Sequence, residues 1–170
     1  MKNIILTIFL SGLYFSTVGQ DERTKQIDIL VGQINKSGRL TLKEFDANRV
    51  YNQIFDGGGT IKVYSDKNVI SKIEQEIGLS YGRLTTIIYL TNGKPIQIID
   101  REENFKLKDD KSTLDHSNLN QVFEATIYVF NWDKDDSKVT SKGKRVQSEG
   151  TCSNFEYEPL IDAVKKLMED

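Results

Sequence analysis

Two residues of the chain have the chemistry of a nucleophile and its base. His116 is the only histidine and Cys152 the only cysteine among the 170 residues. A cysteine thiol activated by an imidazole is a familiar nucleophile in hydrolases. The sequence around Cys152 matches no nucleophile signature, and lone cysteines are commonly small buried hydrophobic residues. No G-x-S-x-G sequence presents a serine to His116. We therefore predict no catalytic residue and rank an unrecognised hydrolase last among the possible functions.

Metal and phosphate sites are also not indicated. Zinc needs three or four Cys or His ligands, and only two such residues exist. Asp133 and Asp135 resemble the start of a calcium loop, but Lys138 and Lys144 stand where that loop needs Gly and Glu. Asp56-Gly57-Gly58-Gly59 leads into an alternating strand pattern rather than a helix, so it predicts a tight turn or bulge. We predict no metal and no cofactor.

Clusters of like charge offer weaker candidates. Three carboxylate pairs could in principle act as the acid and base of a glycosidase: Glu102-Glu103, Asp109-Asp110 and Asp135-Asp136. All fall in predicted charged loops, where nothing would separate the two pKa values. A short basic stretch could meet an anionic polymer or a lipid headgroup: Lys138, Lys142, Lys144 and Arg145. We predict that all these groups are solvated, the basic stretch as a strand end.

An aromatic set is the candidate binding site. Tyr128, Phe130 and Trp132 alternate along a predicted strand, so we expect their side chains on one face. If no helix covers that face, the three form an apolar patch suited to a protein, a peptide or a sugar. If the C-terminal helix packs there, they belong to the core. We favour the core because Leu160 and Leu167 need an apolar surface to pack against.

The first nineteen residues have the three parts of a secretory signal peptide. Lys2 is followed by an apolar run through Phe15 and then by small or polar residues. Thr17 and Gly19 satisfy signal peptidase, so we predict cleavage before Gln20. The apolar run is shorter than the roughly 20 residues of a membrane-spanning helix. We expect an exported protein, periplasmic or extracellular, that does not span the membrane.

Composition limits the partners and the domain organisation that the mature chain can have. Without Lys2, 22 Lys and Arg face 25 Asp and Glu, a formal charge of −3. This mildly acidic balance argues against a nucleic-acid partner, which usually requires a strongly basic surface. Residues 20–170 suit one domain, and at about 150 residues such a domain can be stabilised by its own core. A single cysteine rules out a disulfide within the chain.

The periodicity predicts an α+β domain. Residues 22–36 and 160–168 repeat apolar side chains at helical spacing, and Pro159 suits the first turn of the second helix. Residues 40–143 have the pattern of strands joined by turns, and Asn92-Gly93 is typical of a type I′ hairpin. Residues 69–77 could form a strand or a short helix because Ser71 and Gln75 share the parity of the apolar positions; we favour a strand.

Two further segments complete the prediction. Residues 101–118 are so charged that we predict a solvated loop, and residues 119–132 should form a strand apolar on both faces. The expected fold is an N-terminal helix, an antiparallel β-meander of about six to eight strands and a C-terminal helix. We expect one sheet face to be packed by the helices and the other to be solvated or used for binding.

Part of the meander resembles a known group of proteins. Three segments carry the resemblance: Gly58-Gly59-x-Ile61-x-Val63-Tyr64, Val69-Ile70-Ser71-Lys72-Ile73 and Tyr89-Leu90-x-Asn92-Gly93-Lys94. They resemble small exported bacterial proteins of unknown function that fold as antiparallel β-meanders. The resemblance implies a Gram-negative envelope and no catalytic residues.

Three functions follow as expectations. The first is a non-enzymatic envelope or secreted module that binds a protein or a polymer through its sheet face or through residues 101–118. The second is a carrier of a small apolar, lipid-like ligand in a curved sheet. The third is the hydrolase with an unrecognised site. The sequence favours them in that order because it lacks a catalytic constellation.

Overall fold

The N-terminal helix is a compact unit of its own. The computed structural model describes residues 3–109, 113–146, 148 and 153–169, and the chain divides into Met1–Lys36 and Ser37–Asp170. Helix α1, Asn3–Lys36, ends at the predicted residue but starts well before Glu22, so it runs through the predicted cleavage site. Cleavage before Gln20 stays a prediction. Within the described residues, none of the helices combines the length and apolar character needed to cross a membrane.

The second unit confirms the predicted meander and C-terminal helix. Its antiparallel sheet has seven strands in sequence order: β1 Thr41–Asp46, β2 Gly59–Asp66, β3 Val69–Leu79, β4 Gly82–Thr91, β5 Lys94–Leu107, β6 Leu114–Asn131 and β7 Asp136–Gly143. Helix α2, Ala47–Tyr51, follows β1, and helix α3, Glu158–Glu169, ends the chain. The 3₁₀ turns Trp132–Lys134 and Asn154–Tyr157 follow β6 and precede α3.

Local sequence signals place most of the turns. Asn92 and Gly93 have φ of 52° and 75°, the two positive values that a type I′ hairpin requires. The ambiguous segment beginning at Val69 is a strand, as favoured. Asp46 caps helix α2 by accepting a hydrogen bond from the Asn48 amide at 2.9 Å. Val50 and Tyr51 therefore lie in or at the end of a short helix, inside a zone where the sequence predicts strands.

The prediction of a solvated loop at residues 101–118 is wrong. Strand β5 continues to Leu107 and β6 begins at Leu114. Charge does not stop the strand because the side chains alternate between faces and meet partners on neighbouring strands. Arg101 Nε is 2.5 Å from Glu124 Oε2, and Arg83 Nη2 is 2.7 Å from Glu103 Oε2.

The core lies on one face of the sheet. A row of aliphatic side chains runs across five strands in register, with Val63, Ile73, Ile88, Ile98 and Ile127 all fully buried. Leu160, Ile161 and Val164 of α3 belong to the same cluster. Their spacing places them on one side of the helix, which explains why the sequence predicts α3 so well.

Two glycines allow a close backbone contact beside this core. The Gly57 amide donates to the Gly78 carbonyl at 3.1 Å, and the Gly78 amide donates to the Gly58 carbonyl at 2.8 Å. A Cβ on Gly78 would lie 2.5 Å from the Gly57 carbonyl oxygen and 2.8 Å from its Cα. The glycine run before β2 thus serves a turn packed against β3, as the sequence predicts.

Gly78→Ala should lower the free energy of unfolding by about 1–3 kcal/mol, because backbone rather than a flexible side chain must move. Urea denaturation monitored by circular dichroism measures the change. Gly38→Ala is the control, because a Cβ there has no atom within 4 Å. Equal effects of the two variants would show that the contact between Gly57 and Gly78 can accommodate a Cβ.

Candidate functional site

A row of polar side chains crosses the core face next to the aliphatic row. Gln75 on β3 pairs in register with Thr86 on β4, and Thr86 pairs with Asp100 on β5. Directly opposite residues of an antiparallel pair share a face, so the three side chains point to the side that α3 packs on. Polar residues on a core face need hydrogen-bond partners, which makes this row the first place to look for a site.

The polar row forms the floor of an open cleft of about 590 Å³. This volume lies in the range typical of small-molecule sites, about 300–1,000 Å³. The apolar and aromatic residues of its lining are Tyr51, Ile77, Leu84, Tyr157, Pro159 and Leu160. Helix α2, strands β3 and β4, the turn before α3 and the first turns of α3 thus surround a polar base with apolar walls.

At the β5 end, Asp100 is held by a cation and a phenol. Arg145 Nη2 lies 2.5 Å from Asp100 Oδ2, and the Tyr157 hydroxyl donates to the same oxygen at 3.3 Å. The Arg145 and Asp100 side chains are only 14% and 12% exposed. The guanidinium carbon also lies 4.3 Å from the centre of the Phe123 ring, a cation–π contact. Arg145 is therefore fixed on the core face by charge and by packing.

Glu102, two residues along β5, anchors the segment that carries Arg145. Its carboxylate is fully buried and accepts hydrogen bonds from the Val146 amide at 3.0 Å and the Ser148 amide at 3.1 Å. The Ser148 hydroxyl donates to the same carboxylate at 2.5 Å. Backbone and hydroxyl donors are the partners that a buried carboxylate needs. Glu102 thus positions the wall of the cleft formed by Arg145 and Ser148.

At the β3 end, the floor contacts Tyr51. The Gln75 side-chain amide donates to the Tyr51 hydroxyl at 2.5 Å. Burial raises the pKa of Tyr51 while the bond from Gln75 opposes the rise, so the phenol stays protonated at neutral pH. The Thr86 hydroxyl, between Gln75 and Asp100, makes no hydrogen bond to any residue that the structure describes. The centre of the floor can therefore donate to and accept from a bound molecule.

The predicted aromatic set does not share one face. Tyr128 lies on the opposite side of β6 from Ile127 and Val129, which belong to the core. The strand ends at Asn131 after a register shift, so Trp132 begins a 3₁₀ turn instead of continuing the alternation. Trp132 packs against the core cluster, with its ring centre 6.2 Å from that of Phe155.

The expected core role thus fits Trp132 and not Tyr128. Phe130 is partly exposed, as is Tyr128, and neither belongs to the core cluster. A binding role for Tyr128, Phe130 and Trp132 stays a prediction, but the three residues no longer define a single patch.

His116 lies on an exposed part of β6. Its ring centre is 4.6 Å from that of Phe105, and Cys152 lies outside the described residues. The neighbouring Asp115 carboxylate accepts from the Ser117 hydroxyl at 2.6 Å and from its amide at 3.1 Å. These two bonds lower the pKa of Asp115. The carboxylate is thus engaged by Ser117 rather than serving to orient the imidazole.

The acidic turn after β6 has a structural role. Asp133 pairs with Lys94 at 2.5 Å, and Asp135 accepts from the Asn154 amide at 2.8 Å and the Ser153 hydroxyl at 3.0 Å. Asp135 therefore ties the turn to the segment before α3. Among the residues that the structure describes, no three His, Cys, Asp or Glu side chains are grouped to hold a metal ion.

The remaining carboxylate pairs and the basic stretch do not form single sites. Glu102 and Glu103 do not lie in a loop: they are neighbours on β5, so their side chains are on opposite faces and cannot act as one acid–base pair. Asp110 lies outside the described residues. Lys138 and Lys142 lie on the edge strand β7, whereas Arg145 turns inward to Asp100. The prediction that Arg145 is solvated is wrong because Asp100 offers a carboxylate inside the fold.

Sequence reasoning missed the cleft, although one signal was present. Gln75 has the parity of Ile73 and Ile77, Thr86 that of Ile88, and Asp100 that of Ile98. A polar residue at a core parity on three successive strands indicates a polar row once the register is known. Arg145 gives no such signal because it lies after the last strand, outside any periodic pattern.

The other face of the sheet carries an ion-paired cluster. Lys72 Nζ lies 2.6 Å from Glu74 Oε1 and 5.0 Å from the Tyr64 ring centre, and the Tyr64 hydroxyl donates to Glu74 Oε2 at 2.9 Å. Burial alone would raise the pKa of Glu74, but the bonds and charges of its neighbours outweigh it and lower the pKa. The ionised form of Glu74 therefore stabilises the folded state.

Glu74→Gln should lower the free energy of unfolding at pH 7 by about 1 kcal/mol or less, because the pair is partly exposed. The folded-state pKa lies below the unfolded value of about 4.3, so this contribution is present above that pH and is lost as the pH falls through the folded-state pKa. Urea denaturation at neutral and acidic pH measures it. Glu76→Gln, with a half-exposed side chain, is the control for losing a surface charge. A difference that stays constant with pH would contradict the assignment.

No protein-family model, curated protein or solved structure matches the chain. The cleft and its polar floor therefore carry the functional argument.

Proposed function

We propose that the chain is an exported, non-enzymatic binding module that holds its ligand in the cleft above Gln75, Thr86 and Asp100. The observation that carries the proposal is the polar row at the base of a cleft whose walls are mainly apolar and aromatic. Ligand sites commonly combine apolar walls with a few polar groups that orient the ligand. The predicted signal peptide supports export of such a module to the envelope or out of the cell, where an envelope polymer or protein would supply the ligand.

Stability alone does not account for the polar row. An aliphatic residue at position 86 would continue the neighbouring row and would bury more apolar surface. Threonine instead leaves a hydroxyl facing the cleft, between two groups that are already hydrogen-bonded. Local departures from the rules of core packing tend to occur at functional sites.

Filling the cleft should abolish ligand retention. Thr86→Phe places a ring above the polar floor, and the matched control Thr85→Phe places the same ring on the other face of the same strand. The full chain would be expressed in a Gram-negative host, incubated with envelope extract and repurified. Mass spectrometry would then identify the molecules released on denaturation.

The proposal expects a molecule that is retained by the native chain and by Thr85→Phe but is lost from Thr86→Phe. Equal retention by all three proteins would place binding elsewhere. Circular dichroism would establish that both variants are folded. The intact mass of the periplasmic protein tests export in the same preparation, since cleavage before Gln20 predicts a chain of residues 20–170.

A further inference from the structure

We infer that the ligand class of the cleft is a neutral carbohydrate, a mono- or disaccharide unit. This inference rests on the proposed function and adds the chemistry of the ligand to it. Its basis is the combination of a mixed donor and acceptor floor, aromatic walls and nearly balanced charge in one cleft of about 590 Å³.

The floor of the cleft offers both hydrogen-bond donors and hydrogen-bond acceptors. Asp100 offers carboxylate acceptors, Thr86 a hydroxyl that both donates and accepts, and Gln75 an amide that does the same with separate atoms. A sugar hydroxyl is itself a donor and an acceptor, so it can bond the Thr86 hydroxyl while its neighbours on the ring reach Gln75 and Asp100, whose present partners are Tyr51, Arg145 and Tyr157.

The walls suit the apolar faces of a sugar ring. Tyr51 stands at the β3 end of the row and Tyr157 at the β5 end, each hydrogen-bonded through its hydroxyl to the floor. Tyrosines with tethered hydroxyls are rigid and order a ring at low cost in conformational entropy. Tyr51 is partly exposed, whereas Tyr157 is only 7% exposed and belongs to the core cluster. Leu84 and Leu160 add aliphatic surface between them.

Charge argues against an ionic ligand. The charged groups that line the cleft are Asp100, Glu156 and Arg145, a formal balance of −1. An anion would be repelled by this balance, and Asp100, the carboxylate that a cation would seek, already pairs with Arg145 at 2.5 Å. Burying a charge without a partner is costly, so a neutral ligand fits best.

Dimensions argue against an acyl chain. The polar row spans three strands, about 10 Å at a strand spacing of about 4.8 Å. A fatty acyl chain that lay along this polar row would offer the Thr86 hydroxyl no hydrogen-bond partner. The span instead matches one or two pyranose rings laid across the strands.

Isothermal titration calorimetry with the full chain tests the inference. The neutral probes are maltose, cellobiose and N,N′-diacetylchitobiose; the comparison probes are tetraalanine and decanoate. Thr86→Val removes the central hydroxyl at nearly constant volume, and Thr85→Val is its control on the opposite face. We expect at least one neutral disaccharide to bind with a Kd that Thr86→Val raises about tenfold, the value of one hydrogen bond.

The other outcomes separate the two proposals. Binding of tetraalanine or decanoate that depends on Thr86, without any sugar binding, would overturn the carbohydrate inference and leave the binding function standing. Sugar binding that is unchanged in Thr86→Val would also overturn it, because the sugar would lie elsewhere. If no probe binds and the envelope extract leaves no molecule on the native chain, both proposals fail.

Discussion

Glu102→Ala is expected to lower the free energy of unfolding by about 3 kcal/mol or more. The substitution leaves the Val146 amide, the Ser148 amide and the Ser148 hydroxyl without the carboxylate that now accepts from them. The three hydrogen bonds are partly buried, and each donor left without a partner there costs about 1 kcal/mol or more. Because Glu102 is fully buried, water cannot replace the lost acceptor without entering the core. Urea denaturation of the native chain and the variant at neutral pH measures the difference.

Glu103→Ala is the matched control. Glu103 is the next residue on the same strand, but it lies on the opposite face, where it pairs with Arg83 at 2.7 Å. Partly exposed ion pairs contribute about 1 kcal/mol or less, so the control should be mild. If Glu102→Ala were no more destabilising than Glu103→Ala, residues 146–148 would not be anchored through Glu102.

The second large effect is a coupling between Asp100 and Arg145. Arg145→Met should destabilise the fold by about 3–5 kcal/mol, because it leaves a mostly buried carboxylate without its cation. Asp100→Asn should also destabilise the fold, because it leaves the Arg145 guanidinium without its carboxylate partner. The double variant removes both charges, so its cost should fall short of the sum of the single costs by at least about 1 kcal/mol.

A second double-mutant cycle, on the opposite face of the sheet, gives a coupling energy for comparison. Arg101 and Glu124 form a pair of the same length, 2.5 Å, but their side chains are 35% and 27% exposed. The cycle of Arg101→Met and Glu124→Gln should therefore give a coupling below about 1 kcal/mol. Urea denaturation of all seven proteins, the native chain and the six variants, measures both cycles. Equal couplings would show that burial does not strengthen the Asp100–Arg145 pair.

These two predictions bear on function because Glu102 and Arg145 shape the cleft. Arg145 and Ser148 line it, and Glu102 anchors the segment that carries them. A destabilised segment should weaken ligand binding even where no ligand atom touches Glu102. Glu102→Ala is therefore expected to reduce binding together with stability, whereas Thr86→Val should reduce binding alone.

The meander could be predicted from sequence because its signals are local. Asn92-Gly93 sets one hairpin by its tolerance of positive φ, and alternating side chains mark β2 and β6. Helix α3 is predictable because Leu160 and Val164 repeat at helical spacing over a polar background. In each case neighbouring residues contain the information.

The failures have a different physical cause, which is distance along the chain. Strand β5 continues through Arg101 because Glu124, 23 residues away, supplies the opposite charge. Arg145 turns inward because Asp100, 45 residues away, accepts its charge. Trp132 leaves the strand pattern because a register shift near Val129 ends the alternation before it. A local pattern contains no information about partners of this kind.

The cleft was hidden for the same reason. Gln75, Thr86 and Asp100 each look like an isolated polar residue in its own strand, and only the strand register places them side by side. The aromatic alternation at Tyr128 was more conspicuous, since residues of one strand can be compared directly in the sequence.

The location of the bound ligand is the most direct test of binding in the cleft. Amide and methyl NMR spectra of the labelled full chain, recorded while soluble envelope extract is added, would show which residues respond. Binding in the cleft predicts shifts at the Gln75 side-chain amide, the Leu84 methyls and Thr86, with little change at Thr85 and Tyr128. Shifts confined to Tyr128, Phe130 and their neighbours would contradict it and would place the binding surface on the other face of the sheet.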